Sequence, residues 1–164
     1  MNAVRSLRTQ VGTLTVEADD AGLRSVHWGA DTEQPGSPEA AGIAEQAVRQ
    51  LEEYFAGERS SFELPVDLTG LGAASTAVLT ALKDTVGYGE TVTYGELAAR
   101  SGSSVPARAI GSIMGSNPLP IVIGCHRVVA ADGLGGYSGG EPGQGRQTKV
   151  WLLEHEGALP PALI

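Results

Sequence analysis

Residues 107–133 read ARAIGSIMGSNPLPIVIGCHRVVAADG, and three kinds of structure follow one another within them. The first part predicts a helix whose apolar side is formed by Ile110, Ile113 and Met114. The run LPIVI after it predicts a short strand or a buried extended segment. Cys125 comes directly after that run and is the only cysteine in the chain. It is either a small buried core residue or a nucleophile.

Another predicted helix lies just upstream, in TYGELAARSG. Thr93 with Glu96 three residues later fits a capping box, and Gly102 ends the helix. For the helix that follows, Ser104 can provide the cap and Pro106 suits the first turn. Two short helices joined by about four residues form the outline of a helix-turn-helix, although helix pairs that merely pack together share it.

Two more helices are predicted in this half, in AASTAVLTALKDTV and TKVWLLEHEG. The apolar face of the first consists of Val78, Leu79, Leu82 and Val86. The core residues of the second are Trp151, Leu152 and Leu153, and Gly157 ends it. Residues 71–164 are therefore predicted to form a mostly α C-terminal domain that contains the helix-turn-helix.

The first part of the chain predicts a different architecture. VRSLRT, GTLTVEAD and GLRSVHWG alternate loosely and suggest a three-stranded meander. A helix from Glu39 follows, with one apolar stripe made of Ala44, Ala47, Val48, Leu51, Tyr54 and Phe55. SSFELPVDL predicts one more strand, which ends at the glycine-containing segment of Gly70 and Gly72. Residues 1–70 are thus predicted to form a supporting α/β domain with a small β-sheet.

Charge is distributed unevenly along the chain, whose net charge is −8. Residues 1–72 hold 5 Arg against 12 Asp and Glu, but residues 97–149 hold five basic residues against two acidic ones. The negative charge of the whole chain argues against binding to phosphates, but the locally positive second half allows a phosphate-binding face there. No apolar run approaches the ~20 residues of a membrane helix, and a lone cysteine forms no internal disulfide. A reducing, cytoplasmic location without membrane contact is expected.

Nucleophilic chemistry at Cys125 needs a base, because a thiol attacks as its thiolate. His126 is adjacent, and Glu154 and Glu156 on the last helix are candidates to orient its ring. Arg127 adds a fixed positive charge. The glycine-rich loop DGLGGYSGG after it allows a backbone to approach a ligand closely.

Four blocks now resemble a known family: TVTYGELAA, ARAIGSIMGSNPLPIVIGCHRVVAADG, GGYSGG and WLLEHEG. In this order they resemble the O6-alkylguanine-DNA alkyltransferases, or methylated-DNA–protein-cysteine methyltransferases. The resemblance is strong from about residue 73 to 157, and residues 1–72 share only the layout of that family's N-terminal α/β domain.

The resemblance implies a role for each matching residue of the centre. Cys125 would accept the alkyl group from O6 of guanine, and also from O4 of thymine. His126 would act through a water as its base, Glu156 would orient His126, and Asn117 would brace the site. The thioether formed is stable, so each molecule would act once.

Base and DNA recognition would use a second set of residues. Tyr94 would lie beside the flipped base, and Tyr137 would wall the pocket. The carbonyls of Val128 and Cys125 and the amide of Ser138 would read the guanine edges. Contacts with DNA would come from Arg108, inserted in place of the base, and from Ser104, Ala107 and Arg127. The expected partner is double-stranded DNA that contains alkylated guanine. A monomer without cofactor, metal or obligate protein partner is expected.

The chain departs from the family pattern at two places. Gly124 stands where the family usually has proline, which would fix φ and stiffen the turn. We therefore expect slower alkyl transfer than a Gly124→Pro variant would show. The link EPGQGRQT over residues 141–148 is longer than usual and carries Arg146. It is either a surface insertion or an additional phosphate contact or lid.

Three other readings stay open beside direct repair. Alkyltransferase-like proteins, which bind lesions without transfer, lack the cysteine that is present here. An unrelated cysteine hydrolase would explain Cys125, His126 and a glutamate but not Arg108 on a helix pair. The third is a family member that acts on a small alkylated molecule.

Overall fold

The computed structural model describes residues 1–159, so the last five residues of the predicted second domain lie outside the described residues. The chain divides into two compact units, the first covering Met1–Thr69 and the second beginning at Gly70. Within residues 1–159, no helix is both long enough and apolar enough to cross a membrane.

A three-stranded antiparallel sheet forms the first unit, in the order β1 (Ala3–Thr9), β2 (Gly12–Ala18), β3 (Leu23–Trp28). Helix α1 (Pro38–Phe55) packs on the sheet through the predicted apolar stripe, within which Val48 alone is only half-buried. Ser37 caps α1, accepting a hydrogen bond of 3.1 Å from the Ala40 amide. The predicted small sheet and helix are therefore present.

The additional strand predicted in SSFELPVDL is wrong. Only Val66 forms an isolated bridge with Leu23. The Leu23 amide donates to the Pro65 carbonyl over 2.8 Å, and its carbonyl accepts from the Asp67 amide over 2.8 Å. Proline has no N–H to donate, which limits how far pairing extends along this segment.

The second unit is mostly helical, with α2 (Ala73–Thr85), α3 (Tyr94–Arg100), α4 (Ala107–Gly115) and α5 (Gly145–His155). Helices α2, α3 and α4 pack against one another. Two residues of β4 (Val92–Thr93) pair in parallel with two of β5 (Val128–Val129). This short pair holds the first turn of α3 beside the segment that follows Cys125.

The capping box predicted at the start of α3 is confirmed. The Thr93 hydroxyl accepts from the Glu96 amide over 3.1 Å, and the Glu96 carboxylate accepts from the Thr93 amide over 2.8 Å. The predicted start of α4 is wrong, because Pro106 is the N-cap and Ser104 lies outside the helix. Proline at φ −71° and ψ 154° is extended and has no N–H, so the helix begins after it and six residues join α3 to α4.

The LPIVI segment is buried as predicted, but it turns instead of extending. Its Ile121 has a φ of 75°, a value that few β-branched residues adopt. The Ile123 amide donates back to the Leu119 carbonyl over 2.8 Å and closes the turn. The segment therefore delivers Cys125 from a compact loop inside the core.

Helix α5 begins three residues before the predicted start at Thr148. Leu152 and Leu153 are buried as predicted, whereas Trp151 is half-buried and stacks on His155 with ring centroids 4.7 Å apart. The end of this helix places Glu156 in the interior of the second unit.

Candidate active site

A tight turn presents Cys125. Gly124 has φ −73° and ψ 64°, close to an inverse γ-turn, and the Cys125 amide donates to the Ile123 carbonyl over 2.7 Å. One turn of 3-10 helix follows at Cys125–Arg127, closed by the Arg127 amide on the Gly124 carbonyl at 2.9 Å. This geometry fixes Cys125 and His126 in a single turn although neighbouring side chains of an extended strand would point apart.

Glu156 is the carboxylate that meets His126. His126 Nε2 lies 2.7 Å from Glu156 Oε2, and both side chains are fully buried. Glu154, the other candidate from the sequence, is exposed on the opposite side of the helix end. Arg127 donates to both Glu156 oxygens, over 2.9 and 3.0 Å, and to the Val86 carbonyl over 3.1 Å.

This geometry corrects the expectation that Arg127 contacts DNA. Its guanidinium is buried, with Nε and Nη2 bonded to the two carboxylate oxygens of Glu156 and Nη1 bonded to the Val86 carbonyl. A guanidinium held in this way has no face to offer a phosphate of a duplex. We reassign Arg127 to the interior network, where it holds Glu156.

The network leaves His126 with a basic nitrogen. Burial raises the pKa of Glu156, but the hydrogen bonds and charges of His126 and Arg127 outweigh it and hold that pKa well below its usual range. Burial lowers the pKa of His126 more than Glu156 raises it, so the ring is neutral at neutral pH. An ionised carboxylate only accepts hydrogen bonds, so the proton of the His126 ring is on Nε2. Nδ1 is buried, has no hydrogen-bond partner and keeps its lone pair.

Burial opposes the ionisation of the Cys125 thiol, and neighbouring groups favour it. Burial raises the pKa of Cys125, while a hydrogen bond from the Asn117 side chain and the charge of Lys149 lower it in part. Asn117 is itself fixed, since its amide donates to the Ile123 carbonyl over 3.0 Å and its oxygen accepts from the Leu119 amide over 2.9 Å. The site therefore needs a base to form the thiolate.

A pocket of about 270 Å³ opens onto the sulfur. Four of its lining residues are predicted site residues, namely Tyr94, Cys125, Tyr137 and Ser138. The other four have little or no polar side chain, namely Gly111, Met114, Gly115 and Gly136. The pocket is thus mostly apolar, and its lining includes one thiol and two aromatic rings.

The glycine-rich loop forms one wall of this pocket. The Gly136 amide donates to the Tyr94 hydroxyl over 3.3 Å, and the Ser138 hydroxyl donates to the Gly115 carbonyl over 3.4 Å. Gly135 has φ 74°, and a Cβ there would lie 2.8 Å from the Tyr94 hydroxyl. Glycine at this position lets the loop approach Tyr94.

Lys149 is a site residue that the sequence reasoning missed. It is fully buried, and its Nζ donates to the Val128 carbonyl over 2.6 Å and to the Gly136 carbonyl over 2.9 Å. A signal was available, because Lys149 and Glu156 are seven residues apart in the last helical segment and share the face of Leu152 and Leu153. Two charged residues on an apolar helical face indicate a buried polar site.

The expected DNA-contacting residues Ser104, Ala107 and Arg108 are all exposed. Ala107 and Arg108 form the start of α4, and together with Tyr94 and Gly111 they line an open hollow of about 350 Å³. Tyr94 and Gly111 also line the pocket of Cys125, so the two concave regions adjoin. Arg108 therefore stands beside the mouth of the pocket.

Gly124 is in close contact with Arg127. A Cβ added to Gly124 would lie 2.9 Å from Cδ and 3.0 Å from Nε of Arg127, whose guanidinium holds Glu156. We therefore expect Gly124→Ala to lower the free energy of unfolding by about 1–3 kcal/mol, the usual cost of overpacking. Urea unfolding measures this, and a midpoint equal to that of the unmodified protein would contradict it.

The Gly124→Pro variant adds the same carbon together with a ring. Proline fixes φ near −65°, close to the −73° that Gly124 already has. The faster transfer expected of this variant stays a prediction, and its comparison with Gly124→Ala separates the stiffness of the ring from the crowding of Arg127. Transfer by Gly124→Pro that is no faster than that of the unmodified protein would contradict this prediction.

Among residues 1–159, no three His, Cys, Asp or Glu side chains are grouped so that they could hold a metal ion. The polar groups of the site are instead arranged around the thiol and the imidazole.

Two family descriptions match almost the whole chain. Residues 73–158 match the DNA binding domain of 6-O-methylguanine DNA methyltransferase, and residues 4–68 match its ribonuclease-like domain.

Several curated proteins are similar to this chain. A methylated-DNA–protein-cysteine methyltransferase of Mycolicibacterium paratuberculosis is 40% identical over 140 residues, 83% of this chain and 84% of that protein. One of the same name from Mus musculus is 42% identical over 139 residues, 77% of this chain and only 64% of the mouse protein's length. A protein of Thermus thermophilus named a DNA base-flipping protein is 39% identical over 156 residues, 93% of this chain and 99% of that protein.

Solved structures agree with these relatives. The crystal structure of Mycobacterium tuberculosis O6-methylguanine methyltransferase superposes with a TM-score of 0.76 at 35% identity and covers 99% of this chain and 96% of that one. A Mycobacterium tuberculosis OGT structure in complex with DNA gives a TM-score of 0.78 at 36% identity, with 97% and 95% covered.

Proposed function

Because this chain belongs to the 6-O-methylguanine DNA methyltransferase family, whose enzymes are methylated-DNA–protein-cysteine methyltransferases, we propose that it repairs alkylated DNA by direct reversal. The alkyl group passes from O6 of guanine, or from O4 of thymine, to Sγ of Cys125. The observation that carries the proposal is the buried pair of His126 and Glu156, whose histidine shares one tight turn with the lone cysteine, itself part of the pocket lining. We assign this chemistry to the second unit.

The first step is removal of the thiol proton. His126 Nδ1 has the free lone pair, and a water relays the proton from Cys125 to it. Glu156 holds the Nε2 proton and stabilises the imidazolium that forms, as the acid of a catalytic triad does. The base is needed because burial raises the pKa of the thiol.

The second step is displacement at the alkyl carbon. A bond forms between Sγ and that carbon, the bond from carbon to O6 breaks, and its electron pair stays on the guanine. The guanine takes up a proton, so the imidazolium proton balances the exchange. The product is a thioether, a poor leaving group, and the described site offers no second nucleophile to remove the alkyl group. Each molecule therefore acts once.

The target atom lies inside a duplex, so the base must leave the stack. The pocket offers Tyr94 and Tyr137 as aromatic walls for the extruded base. The Val128 and Cys125 carbonyls and the Ser138 amide supply the acceptors and the donor that a guanine edge requires. Arg108 at the start of α4 takes the place of the base in the stack. Ser104 and Ala107 contact the backbone.

Arg108→Ala tests this role. Extrusion from a duplex costs a few kcal/mol, and Arg108 offsets part of it, whereas a free base needs no extrusion. We expect transfer from duplex DNA to fall about tenfold or more and transfer from free alkylated guanine to change little. Single-turnover rates on both substrates measure this, with Arg100→Ala, an exposed arginine on α3, as the matched control. Equal losses on both substrates would mean that Arg108 does not support flipping.

The proposed function as a whole is tested by the intact mass of the protein after it is mixed with duplex DNA that contains O6-methylguanine. A gain of one methyl group, mapped to Cys125, supports direct reversal, and the gain should stop at one per molecule. An equimolar reaction with purified monomer and no additive tests the expectation that no cofactor and no protein partner is needed.

A second candidate is a lesion-binding protein without transfer. The similarity to the protein of Thermus thermophilus named a DNA base-flipping protein favours it, since that relative matches over 93% of this chain. Tight binding to the methylated duplex without any mass gain would select this candidate. Absence of both binding and gain would favour a small alkylated molecule as substrate.

A further inference from the structure

We propose that Arg146 binds a backbone phosphate of the duplex at the mouth of the Cys125 pocket, next to the nucleotide whose base enters that pocket. The proposal rests on the proposed function for its partner, double-stranded DNA. It adds a contact that neither the base-reading residues nor Arg108 supplies, and it gives a role to the link of residues 141–148.

The link of residues 141–148 forms a tight turn that folds onto the start of helix α5. The Gln144 amide donates to the Glu141 carbonyl over 2.9 Å, and the Thr148 amide donates to the Gln144 carbonyl over 2.9 Å. Gly140 has a φ of 88°, and a Cβ there would lie 2.6 Å from Oγ1 of Thr148. Glycine before the link therefore lets the chain approach the helix closely, which fixes the place of the first helical turn.

The first turn of α5 lies against the wall of the pocket. A Cβ on Gly145 would lie 2.8 Å from the Tyr137 carbonyl oxygen, and Tyr137 lines the pocket. Arg146 follows Gly145 directly. Lys149, three residues later, reaches the Gly136 carbonyl of this wall, and residues three apart lie on the same side of a helix. Arg146 therefore stands beside the glycine-rich loop that walls the pocket.

Few cations of the second unit are free to meet a phosphate near the pocket. Of its six basic residues, two are buried, one donates to a backbone carbonyl, and one lies on α2, which does not line the pocket. These are, in that order, Arg127 and Lys149, Arg100, and Lys83. Arg108 and Arg146 are the two that remain.

Arg146 is the one of these two whose charge is available to the DNA backbone. It is exposed and, within residues 1–159, forms no hydrogen bond or ion pair. In the proposed function Arg108 takes the place of the extruded base, so its charge lies within the stack. The extruded nucleotide stays attached to its two flanking phosphates, which therefore remain at the mouth of the pocket. Because the chain has a net charge of −8, a cation at this point offsets repulsion where the duplex comes closest.

The salt dependence of binding tests the contact. Arg146→Gln and Arg146→Lys are compared with Lys83→Gln, which removes one exposed positive charge from the same unit. All proteins carry Cys125→Ser, so that they bind the O6-methylguanine duplex without transfer. Each neutralised phosphate contributes about 0.9 to the slope of log affinity against log salt concentration, so Arg146→Gln should lower the magnitude of this slope by about 0.9. Arg146→Lys and Lys83→Gln should keep the slope of the parent protein.

Transfer is measured with Cys125 intact. A phosphate contact contributes to binding and not to the chemical step. Single-turnover transfer by Arg146→Gln should therefore fall about fivefold to tenfold near 0.1 M salt when DNA is limiting, the effect that one phosphate contact has on affinity. At saturating DNA the rate should equal that of the unmodified protein.

Neutral phosphate substitutes locate the contact. Duplexes are prepared in which one phosphate next to the O6-methylguanine is replaced by a methylphosphonate, and they are bound by the Cys125→Ser proteins. The protein that retains Arg146 should lose affinity at one of these positions, and Arg146→Gln should lose none there, because the charge pair is already broken.

A salt slope that is the same with and without Arg146 would overturn the proposal and leave the link a surface insertion. Equal effects of Arg146→Gln and Lys83→Gln would do the same, and so would methylphosphonate losses that add to that of Arg146→Gln at every position. If Cys125→Ser does not bind the duplex, the comparison of limiting with saturating DNA decides.

Failure of the proposed function gives a different result. A protein that binds the duplex but gains no methyl group would refute direct repair, while its salt slope would still show whether Arg146 meets a phosphate. A protein that binds no duplex at all would overturn both proposals.

Discussion

Cys125→Ser should gain no methyl group from O6-methylguanine DNA under conditions in which the unmodified protein gains one. A serine hydroxyl holds its proton far more tightly than a thiol, and the His126–Glu156 pair that suffices for the thiol does not make it a comparable nucleophile. The side chain is 5% exposed and almost isosteric, so the fold should persist. Intact mass and peptide mapping measure the result.

Binding provides the control for this variant. Tyr94, Arg108 and Ser138 are untouched in Cys125→Ser, so its affinity for the methylated duplex should stay close to that of the unmodified protein. A methyl group found on the serine variant would place the acceptor elsewhere in the chain. Loss of binding together with loss of transfer would mean that the variant reports on folding and not on the nucleophile.

Glu156→Gln should be the most damaging change outside the cysteine. It leaves Arg127 buried without a counter-charge, and breaking a buried pair in this way costs about 3–5 kcal/mol of unfolding free energy. It also removes the negative charge that stabilises the imidazolium of His126, so transfer by the folded fraction should fall about a hundredfold or more. The matched control is Glu154→Gln, two residues earlier and exposed.

Two measurements separate these effects. Urea unfolding gives the stability loss, and single-turnover transfer corrected for the folded fraction gives the catalytic loss. The double variant Arg127→Met with Glu156→Gln removes both charges and should recover stability but not transfer. A Glu156→Gln protein as stable as Glu154→Gln would contradict the role assigned to the network.

The stability difference between the unmodified protein and Glu156→Gln should also depend on pH. Folding lowers the pKa of Glu156, so its contribution is fully present above the unfolded value, about 4.3. It is lost as pH falls through the lower folded pKa. The difference should therefore be constant near neutrality and shrink in acid, and a difference that grows in acid would contradict the assignment.

Local signals explain what the sequence could predict. The capping box at Thr93 and the apolar periodicity of α1 and α2 lie within single elements, so neighbouring residues determine them. Cys125, His126 and Glu156 came from a motif and a resemblance, and the structure brings the histidine and glutamate to 2.7 Å. Predicting Lys149 would have required noticing that the apolar face of the last helix carries two charged residues.

The remaining features depend on contacts between distant residues. The β4–β5 pair has two residues a strand, too few for a pattern, and Pro65 reduces the predicted fourth strand to one bridge. Arg127 could be read as a DNA contact because its partners Val86 and Glu156 are far away in sequence. The turn at Ile121 contradicts the extended preference of isoleucine, and only tertiary packing explains it.

That turn has a consequence for the stability of the site. A β-branched residue at φ 75° is disfavoured locally by about 1–3 kcal/mol, so an unfolded chain seldom visits this conformation. Leu119, Ile121 and Ile123 must already be packed before the loop between Asn117 and Cys125 holds its shape. The turn that presents Cys125 is therefore stable only together with the packed core around it. We expect substitutions that loosen this core to disturb the position of Cys125 before they unfold the helices.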